Sequence, residues 1–286
     1  ENLKDIIFDQ MKFNFSKDMI MRTCLMLTDS AILFSVDKGF SKENLEKIRQ
    51  SWDDIEKAIF TGTMILKEWS ISEKHLKSKN SIIPIFYYFY KGGKSDSNSK
   101  QNLKKYFLIT NIKNHFSSHG DTMLSKIRNA MRDEKTKKLY DINFNLEKIK
   151  KRNESYFTGT TGEKSFDVYE ENIERWLTDI QYPKTFFALY LLYDKMNFSD
   201  KEFHQDHIFP KSNFIKHKDD KDDIWSKANS LPNIMFLTGS VNKEKSNMPF
   251  EDWLSSNYVN KNEKYRFMND NYIPKNLDLS FNEKNF

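Results

Sequence analysis

One stretch of the chain decides its fold, the seven residues DHIFPKS at positions 206–212. Successive side chains of an extended strand point to opposite faces, so the neighbours Asp206 and His207 act on different sides of the backbone. Pro210 fixes its own φ angle and has no backbone N–H, so a strand has to end or turn there. The stretch therefore predicts a strand end that presents a carboxylate on one face and an imidazole on the other.

A second strand and a helix are predicted downstream. Residues 231–237 form a short apolar run, LPNIMFL, which is typical of a buried strand. Residues 238–240 (TGS) then favour a turn, and residues 241–247 favour the start of a helix. With the first strand, these segments predict a ββα unit. Asn242, near the helix start, offers a neutral amide oxygen of the kind that binds a hard cation such as Mg²⁺.

The order and spacing of the polar residues in this region resemble the motif of the HNH endonucleases, also called His-Me finger or ββα-metal nucleases. The residues that carry the resemblance are Asp206, His207, Pro210, Asn233, Asn242 and Lys245. Over about residues 165–255 the chain is similar to one branch, the HNH domains of GmrSD-like, modification-dependent restriction proteins, in which a helical region precedes the nuclease. The lead-in at 182–193 and the tail at 247–253 fit this branch.

The resemblance implies a role for each of these polar side chains. His207 would be the general base that activates a water molecule. Asp206 and Asn242 would be the ligands of Mg²⁺ or Mn²⁺. Asn233 would orient His207 through a hydrogen bond, and Lys245 would contact a phosphate or steady the helix. Hydrolysis would leave a 5′-phosphate and a 3′-hydroxyl.

Some features depart from the family pattern. The last motif residue is an asparagine where the family name has a histidine, a substitution that the family tolerates. The spacer before Asn233 is long, and its charged segment at 216–223 (KHKDDKDD) is expected to lie on the surface. GmrSD-like proteins carry an N-terminal ParB-like nucleotide-hydrolysing domain that has no counterpart in these 286 residues, and the chain opens on Glu1. We therefore expect the chain to be the C-terminal part of a longer protein.

Composition limits the other classes of protein. A length of 286 residues allows two domains, and aromatic residues at 15% can fill a large core. The single cysteine, Cys24, excludes a disulfide within these residues and a cysteine-based zinc site. The longest apolar stretch, residues 82–90, is much shorter than a membrane span of about 20 residues. We expect no membrane partner and a cytoplasmic location.

The remaining sequence predicts helices. Apolar residues at 45, 48, 52, 55 and 59 are spaced by three and four, which predicts one long helix capped by Ser41. The segment 156–164 contains two glycines and is the predicted domain boundary. The predicted fold class is mainly α, with a helical domain at 1–164, then a helical nuclease domain at 165–286 containing the ββα-metal (HNH) core at about 200–255.

Positive charge is concentrated upstream of the motif. Residues 100–152 carry 14 Lys and Arg against 5 Asp and Glu, a net charge of +9, whereas residues 201–254 carry 8 lysines against 9 carboxylates. Clustered lysines and arginines bind phosphate. The predicted DNA contacts are Lys126, Arg128, Arg132, Lys211 and Lys245. A solvated helix face in a lysine-rich protein explains the upstream charges equally well, and the sequence leaves both interpretations open.

The predicted function is that of a metal-dependent DNA endonuclease in a restriction or anti-phage defence system, with modified DNA as one candidate substrate. Two other classes stay open. In the first, the chain is a DNA-binding or interaction module whose nuclease is silent without the nucleotide-hydrolysing domain. In the second, it is a helical scaffold with an accidental motif, and a ββα hairpin around His207 would be missing. Assembly into a homo-oligomer and a contribution of His204 to the metal or phosphate site also stay open.

Overall fold

The computed structural model describes residues 2–32, 39–76, 78–180, 185–193, 203–218 and 224–280. It divides the chain into two compact units, unit 1 at 1–167 and unit 2 at 168–286. This division falls three residues after the boundary expected at 164. The acidic part of the charged segment, at 219–223, and residues 182–184 of the expected lead-in lie outside the described residues.

Unit 1 is built from α-helices. They are α1 (Asn2–Met11), α2 (Lys17–Leu27), α3 (Lys42–Gln50), α4 (Trp52–Glu68), α5 (Ile83–Tyr90), α6 (Ser97–Ile112), α7 (Gly120–Met131), α8 (Leu146–Arg152) and α9 (Glu154–Phe157). Short 3₁₀ segments at 73–75 and 79–82 lead from α4 into α5. Among the helices described in the two units, none is both long enough and apolar enough to cross a membrane.

Unit 2 combines helices with one small sheet. In chain order its elements are α10 (Glu170–Asp179), α11 (Phe186–Leu192), β1 (Phe203–His207), α12 (Ile224–Ala228), β2 (Ile234–Thr238), α13 (Gly239–Lys245), α14 (Phe250–Asn257) and α15 (Lys261–Asp270). 3₁₀ segments at 211–217 and 231–233 flank α12. The prediction of a mainly helical fold is confirmed.

The prediction of a single long helix between residues 41 and 59 is wrong. Ser41 does cap a helix, because its Oγ accepts a hydrogen bond from Asn44 N at 3.3 Å. However, α3 and α4 are separate helices on either side of Ser51. α3 has no buried residue, whereas α4 packs on α5 and buries its apolar face. Within the apolar pattern, the buried residues all belong to α4.

The two strands and the following helix of unit 2 occur in the predicted order. β1 and β2 pair antiparallel, with Phe203 opposite Thr238 and His207 opposite Ile234. The second strand starts later than expected because residues 231–233 form a 3₁₀ turn that contains a proline. α13 begins directly after β2, so residues 238–240 are strand end and helix start rather than a turn. An antiparallel strand pair that contains His207 is therefore present, and a helix follows it.

A hydrophobic core holds this hairpin and helix in place. Residues 234–237 of β2 are all buried, which explains why the strand reads as a continuous apolar run rather than an alternating one. Trp253 of α14 and Phe214 are fully buried in the same cluster, together with Met235. Burial of about 150–250 Å² by each aromatic side chain stabilises such a cluster. The polar residues of β1 are therefore carried by a strand whose partner is anchored in the core.

Candidate functional site

The side chains of β1 divide between two sides of the strand. His204 and Asp206 are two residues apart and share one face, while His207 lies on the other. The first face contacts α13: Asp206 pairs with Lys245, and a Cβ at Gly239 would lie only 3.1 Å from Nε2 of His204. A side chain in place of Gly239, the first residue of α13, would thus require the His204 ring to shift by a few tenths of an ångström.

Asp206 is held by a buried lysine at the end of α13. Nζ of Lys245 lies 2.7 Å from Oδ2 of Asp206, in an ion pair rather than a well-directed hydrogen bond, and donates to the carbonyl oxygen of His207 at 2.6 Å. Burial raises the pKa of Asp206, and the positive charge of Lys245 opposes that increase. The lysine side chain is 0% exposed. Of the two roles expected for Lys245, the structure fits the one that steadies the helix, because its enclosed ammonium joins α13 to β1 and is not exposed to a phosphate.

Asn242 occupies the face of α13 that carries Lys245. The two residues are three apart in the helix, which places their side chains on neighbouring turns of one face. Asn242 is partly buried, and its side-chain amide makes no hydrogen bond to the part of the chain that the structure describes. Its oxygen can therefore serve as a ligand on the side of α13 where Asp206 is bound.

The available donors suit one kind of metal ion. Among the described residues, no group of three or more His, Cys, Asp or Glu side chains is placed to hold a metal. A structural zinc site, which needs four such ligands, does not fit these residues. Mg²⁺ keeps several of its waters and is commonly held by one or two carboxylates plus substrate phosphates. Asp206 and Asn242 carry oxygen donors of the type that Mg²⁺ or Mn²⁺ takes, and their assignment as metal ligands stays a prediction.

The ring of His207 is partly buried and bonded to an asparagine that the sequence analysis did not select. Nε2 of His207 lies 3.2 Å from Oδ1 of Asn229. With an amide oxygen as its acceptor, Nε2 carries the proton and Nδ1 carries the lone pair. Burial lowers the pKa of His207, while the Asn229 bond and the Asp206 charge oppose that decrease. The ring is therefore neutral at neutral pH, the state that a general base requires.

Asn233 does not orient His207 as predicted. Its side chain is 2% exposed and, among the described residues, bonds to backbone groups, accepting from Phe209 N at 2.9 Å and donating to Phe209 O at 3.0 Å and Ala228 O at 2.9 Å. These bonds tie the segment after β1 to the end of α12. Asn229 follows Ala228 directly, so Asn233 acts on His207 only through the position of this turn. The sequence could not separate the two asparagines, because the backbone of the loop decides which one reaches the ring.

Lys211 is an exposed cation on the histidine side of the site. It begins the 3₁₀ segment after Pro210, and its Nζ lies 5.0 Å from the centre of the Trp225 ring. The positive charge of Lys211 contributes to the lowering of the His207 pKa, which places the two groups within electrostatic range of each other. The prediction that Lys211 contacts a phosphate is compatible with this position and stays a prediction.

The predicted DNA contacts of unit 1 divide into buried and exposed residues. Arg132 is 5% exposed and pairs with Asp29 Oδ1 at 2.6 Å, and Arg128 is 7% exposed and donates to Ser30 O at 2.7 Å. The prediction that these two arginines bind DNA is wrong, because Arg128 on the inner face of α7 and Arg132, which follows that helix, both point into the protein. Lys126 on the same helix is exposed, with its Nζ 5.5 Å from the Tyr156 ring centre, and stays a candidate contact.

Comparison with known proteins identified no relative of this chain. No protein-family model matches the chain, and a search of curated proteins finds no match. The resemblance to HNH endonucleases consequently stays a prediction that rests on the motif residues and on the hairpin and helix that carry them.

Proposed function

We propose that unit 2 is a metal-dependent DNA endonuclease of the HNH type, acting in a restriction or anti-phage defence system. One observation carries the proposal: a histidine bonded to an amide oxygen directly follows a carboxylate that is ion-paired to Lys245 of α13, the helix that also carries Asn242. A general base and a cation-binding carboxylate at adjacent positions, on opposite faces of one strand, are the two functions that phosphodiester hydrolysis requires.

The side chains of this chain would share the work of the reaction. His207 would take a proton from water at Nδ1, while Asn229 holds the opposite nitrogen in its protonated form. Asp206 and Asn242 would hold Mg²⁺ or Mn²⁺, which when bound supplies positive charge to the phosphate and the departing oxygen. Lys211 would contact a phosphate on the side of His207. A water attack on phosphorus would leave a 5′-phosphate and a 3′-hydroxyl.

The decisive experiment is plasmid cleavage by the full chain with Mg²⁺ or Mn²⁺, and with EDTA. We expect wild-type protein to cleave only with metal, and His207→Ala to lose at least about 100-fold in rate, since loss of a general base typically costs 10²–10⁴-fold. His119→Asn is a matched control, because His119 is exposed in unit 1 and has a positive φ of 51° that asparagine tolerates. Full cleavage in EDTA, or a His207→Ala rate above about a tenth of wild type, would refute the proposal.

A second function is favoured by the state of Asp206. Lys245 already balances the charge of this carboxylate, so the hairpin and helix are complete without a metal ion. The chain could then be a DNA-binding or interaction module whose nuclease is silent until a ParB-like nucleotide-hydrolysing domain, or a second copy of the chain, acts on it. DNA binding measured by fluorescence anisotropy, without cleavage at any concentration of metal, would favour this second function over the first.

A further inference from the structure

The ammonium group of Lys245 is the counter-ion of Asp206, the carboxylate of the proposed site. Its side chain is fully buried, and its ammonium is shared between the Asp206 carboxylate at 2.7 Å and the His207 carbonyl oxygen at 2.6 Å. A buried lysine costs free energy unless it is paired, so the contact with Asp206 is strongly favoured. Any metal ion that binds Asp206 has to share the carboxylate with this ammonium.

The charges on the carboxylate side of the site balance in the free protein. Asp206 contributes −1 and Lys245 contributes +1, while Asn242 is uncharged. The other two charged residues of α13, Lys243 and Glu244, are exposed and carry opposite signs. A divalent ion is therefore attracted by one carboxylate and repelled by an ammonium that touches it. Such a donor set binds a hard cation weakly on its own.

A DNA phosphate would supply the missing negative charge. We propose that Lys245 makes metal binding conditional on DNA, so that the metal ion and the phosphate enter the site together and each strengthens the binding of the other. This inference rests on the proposed function, since it concerns the same site. The coupling has to be reciprocal: DNA tightens metal binding by the same factor by which metal tightens DNA binding. Lys245 is a positioning residue, because it acts through Asp206.

The test measures Mn²⁺ binding by electron paramagnetic resonance on the full chain. The parent protein carries His207→Ala, so that a duplex oligonucleotide stays intact, and the Mn²⁺ bound by the duplex alone is subtracted. We expect the duplex to tighten Mn²⁺ binding at least about tenfold. Adding Lys245→Gln should tighten Mn²⁺ binding without DNA by about tenfold and shrink the effect of DNA, because the repelling charge is gone.

Lys243→Gln is the matched control. It removes the same charge from the same helix at an exposed position, and we expect it to leave Mn²⁺ binding as in the parent. A purely structural role of Lys245 predicts a different outcome, in which Lys245→Gln weakens Mn²⁺ binding with and without DNA, and that outcome would overturn the inference. Equal Mn²⁺ affinity of the parent with and without duplex would overturn it as well, and this arm needs no Lys245 variant to fold.

The failure of this inference can be told apart from the failure of the proposed function. If wild type cleaves DNA with metal but binds Mn²⁺ equally with and without DNA, the nuclease proposal stands and the proposed coupling is refuted. If DNA tightens Mn²⁺ binding but wild type does not cleave, the nuclease proposal is refuted and the coupling stands.

Discussion

The two units each bury a carboxylate against positive charge, and they use it differently. In unit 1, both oxygens of Asp29 are taken: Oδ1 accepts from Tyr87 at 2.9 Å and pairs with Arg132 at 2.6 Å, while Oδ2 pairs with Lys91 at 2.6 Å. The side chain of Asp29 is 10% exposed. Three protein side chains hold this carboxylate, and their contacts join α5, the end of α7 and the end of α2.

Asp206 in unit 2 has a smaller set of partners. Among the described residues, an ion pair reaches only its Oδ2, from Lys245. The neighbouring Asn242 and His207 then offer further polar groups on the two sides of the strand. The comparison teaches that burial of a charged residue does not by itself mark a functional site. What distinguishes the two clusters is the number of side chains that hold the carboxylate: Asp29 has three, whereas Asp206 has Lys245 together with the backbone N–H of His207.

The largest expected effect comes from removing each carboxylate charge in turn. Asp29→Asn should lower the free energy of unfolding by about 3–5 kcal/mol, because a buried arginine that cannot deprotonate loses its counter-ion. Asn is chosen because Asp29 has a φ of 59°, which asparagine adopts readily. Asp206→Asn should cost less, about 2 kcal/mol, since Lys245 keeps its bond to the His207 carbonyl. Urea denaturation of the two variants measures the difference.

Cleavage should show the opposite order. We expect Asp206→Asn to lose at least about 100-fold in metal-dependent rate, and folded Asp29→Asn to cleave like wild type. Glu43→Gln serves as the control for stability, because its pair with Lys47 is on the surface, and we expect no measurable change. Equal stability losses with equal cleavage rates would remove the distinction between the two clusters.

The next effect separates the two asparagines beside His207. Asn233→Ala should lower the free energy of unfolding by about 3 kcal/mol, because three buried hydrogen bonds to backbone are lost at about 1 kcal/mol each. Asn229→Ala should change stability by less than about 1 kcal/mol, yet reduce the cleavage rate about tenfold by releasing the His207 ring. Denaturation and plasmid cleavage on both variants check this. A stable Asn233→Ala, or an Asn229→Ala with wild-type cleavage, would contradict the assignment.

The smallest effect concerns a buried histidine of unit 1 that stands in contrast to His207. His115 is 3% exposed, and the centre of its ring lies 5.2 Å from the centre of the Phe166 ring. Burial, together with the charges of Lys113 and Lys164, lowers the pKa of His115 to about 3. In the unfolded chain the pKa is about 6.5, so the unfolded state takes up the proton first as pH falls. The stabilisation is complete above about pH 6.5 and declines towards pH 3.

Because His115 stays neutral in the folded protein, we expect the free energy of unfolding to fall by about 2 kcal/mol between pH 7 and pH 5, at 1.36 kcal/mol per pH unit below 6.5. His115→Phe should reduce that pH dependence. Urea denaturation at the two pH values gives the comparison. If His115→Phe keeps the pH dependence of wild type, the ring is not held neutral in the folded protein.

Part of this architecture could be predicted from residue types alone. Pro210, the run before Thr238 and the position of Asn242 predict two strands and a helix in the order that the structure shows, and Ser41 predicts a helix start. The prediction of one helix across Ser51 was wrong because a helical pattern does not show which of its apolar residues will pack into a core. The error at Arg128 and Arg132 has a similar cause: a count of charges cannot say which side of a helix faces inward.

By itself, the sequence determined the local chemistry. It placed a carboxylate and an imidazole on opposite faces at a strand end, because adjacent strand residues alternate in direction. It also placed Asn242 and Lys245 on one face of a helix, because helical residues three apart share a side. Only the tertiary structure decided the partners. Lys245 became a buried counter-ion rather than a phosphate contact, and Asn229 rather than Asn233 reached His207. The physical reason is that burial and hydrogen-bond distance depend on how segments far apart in the chain pack together, and no short motif contains that information.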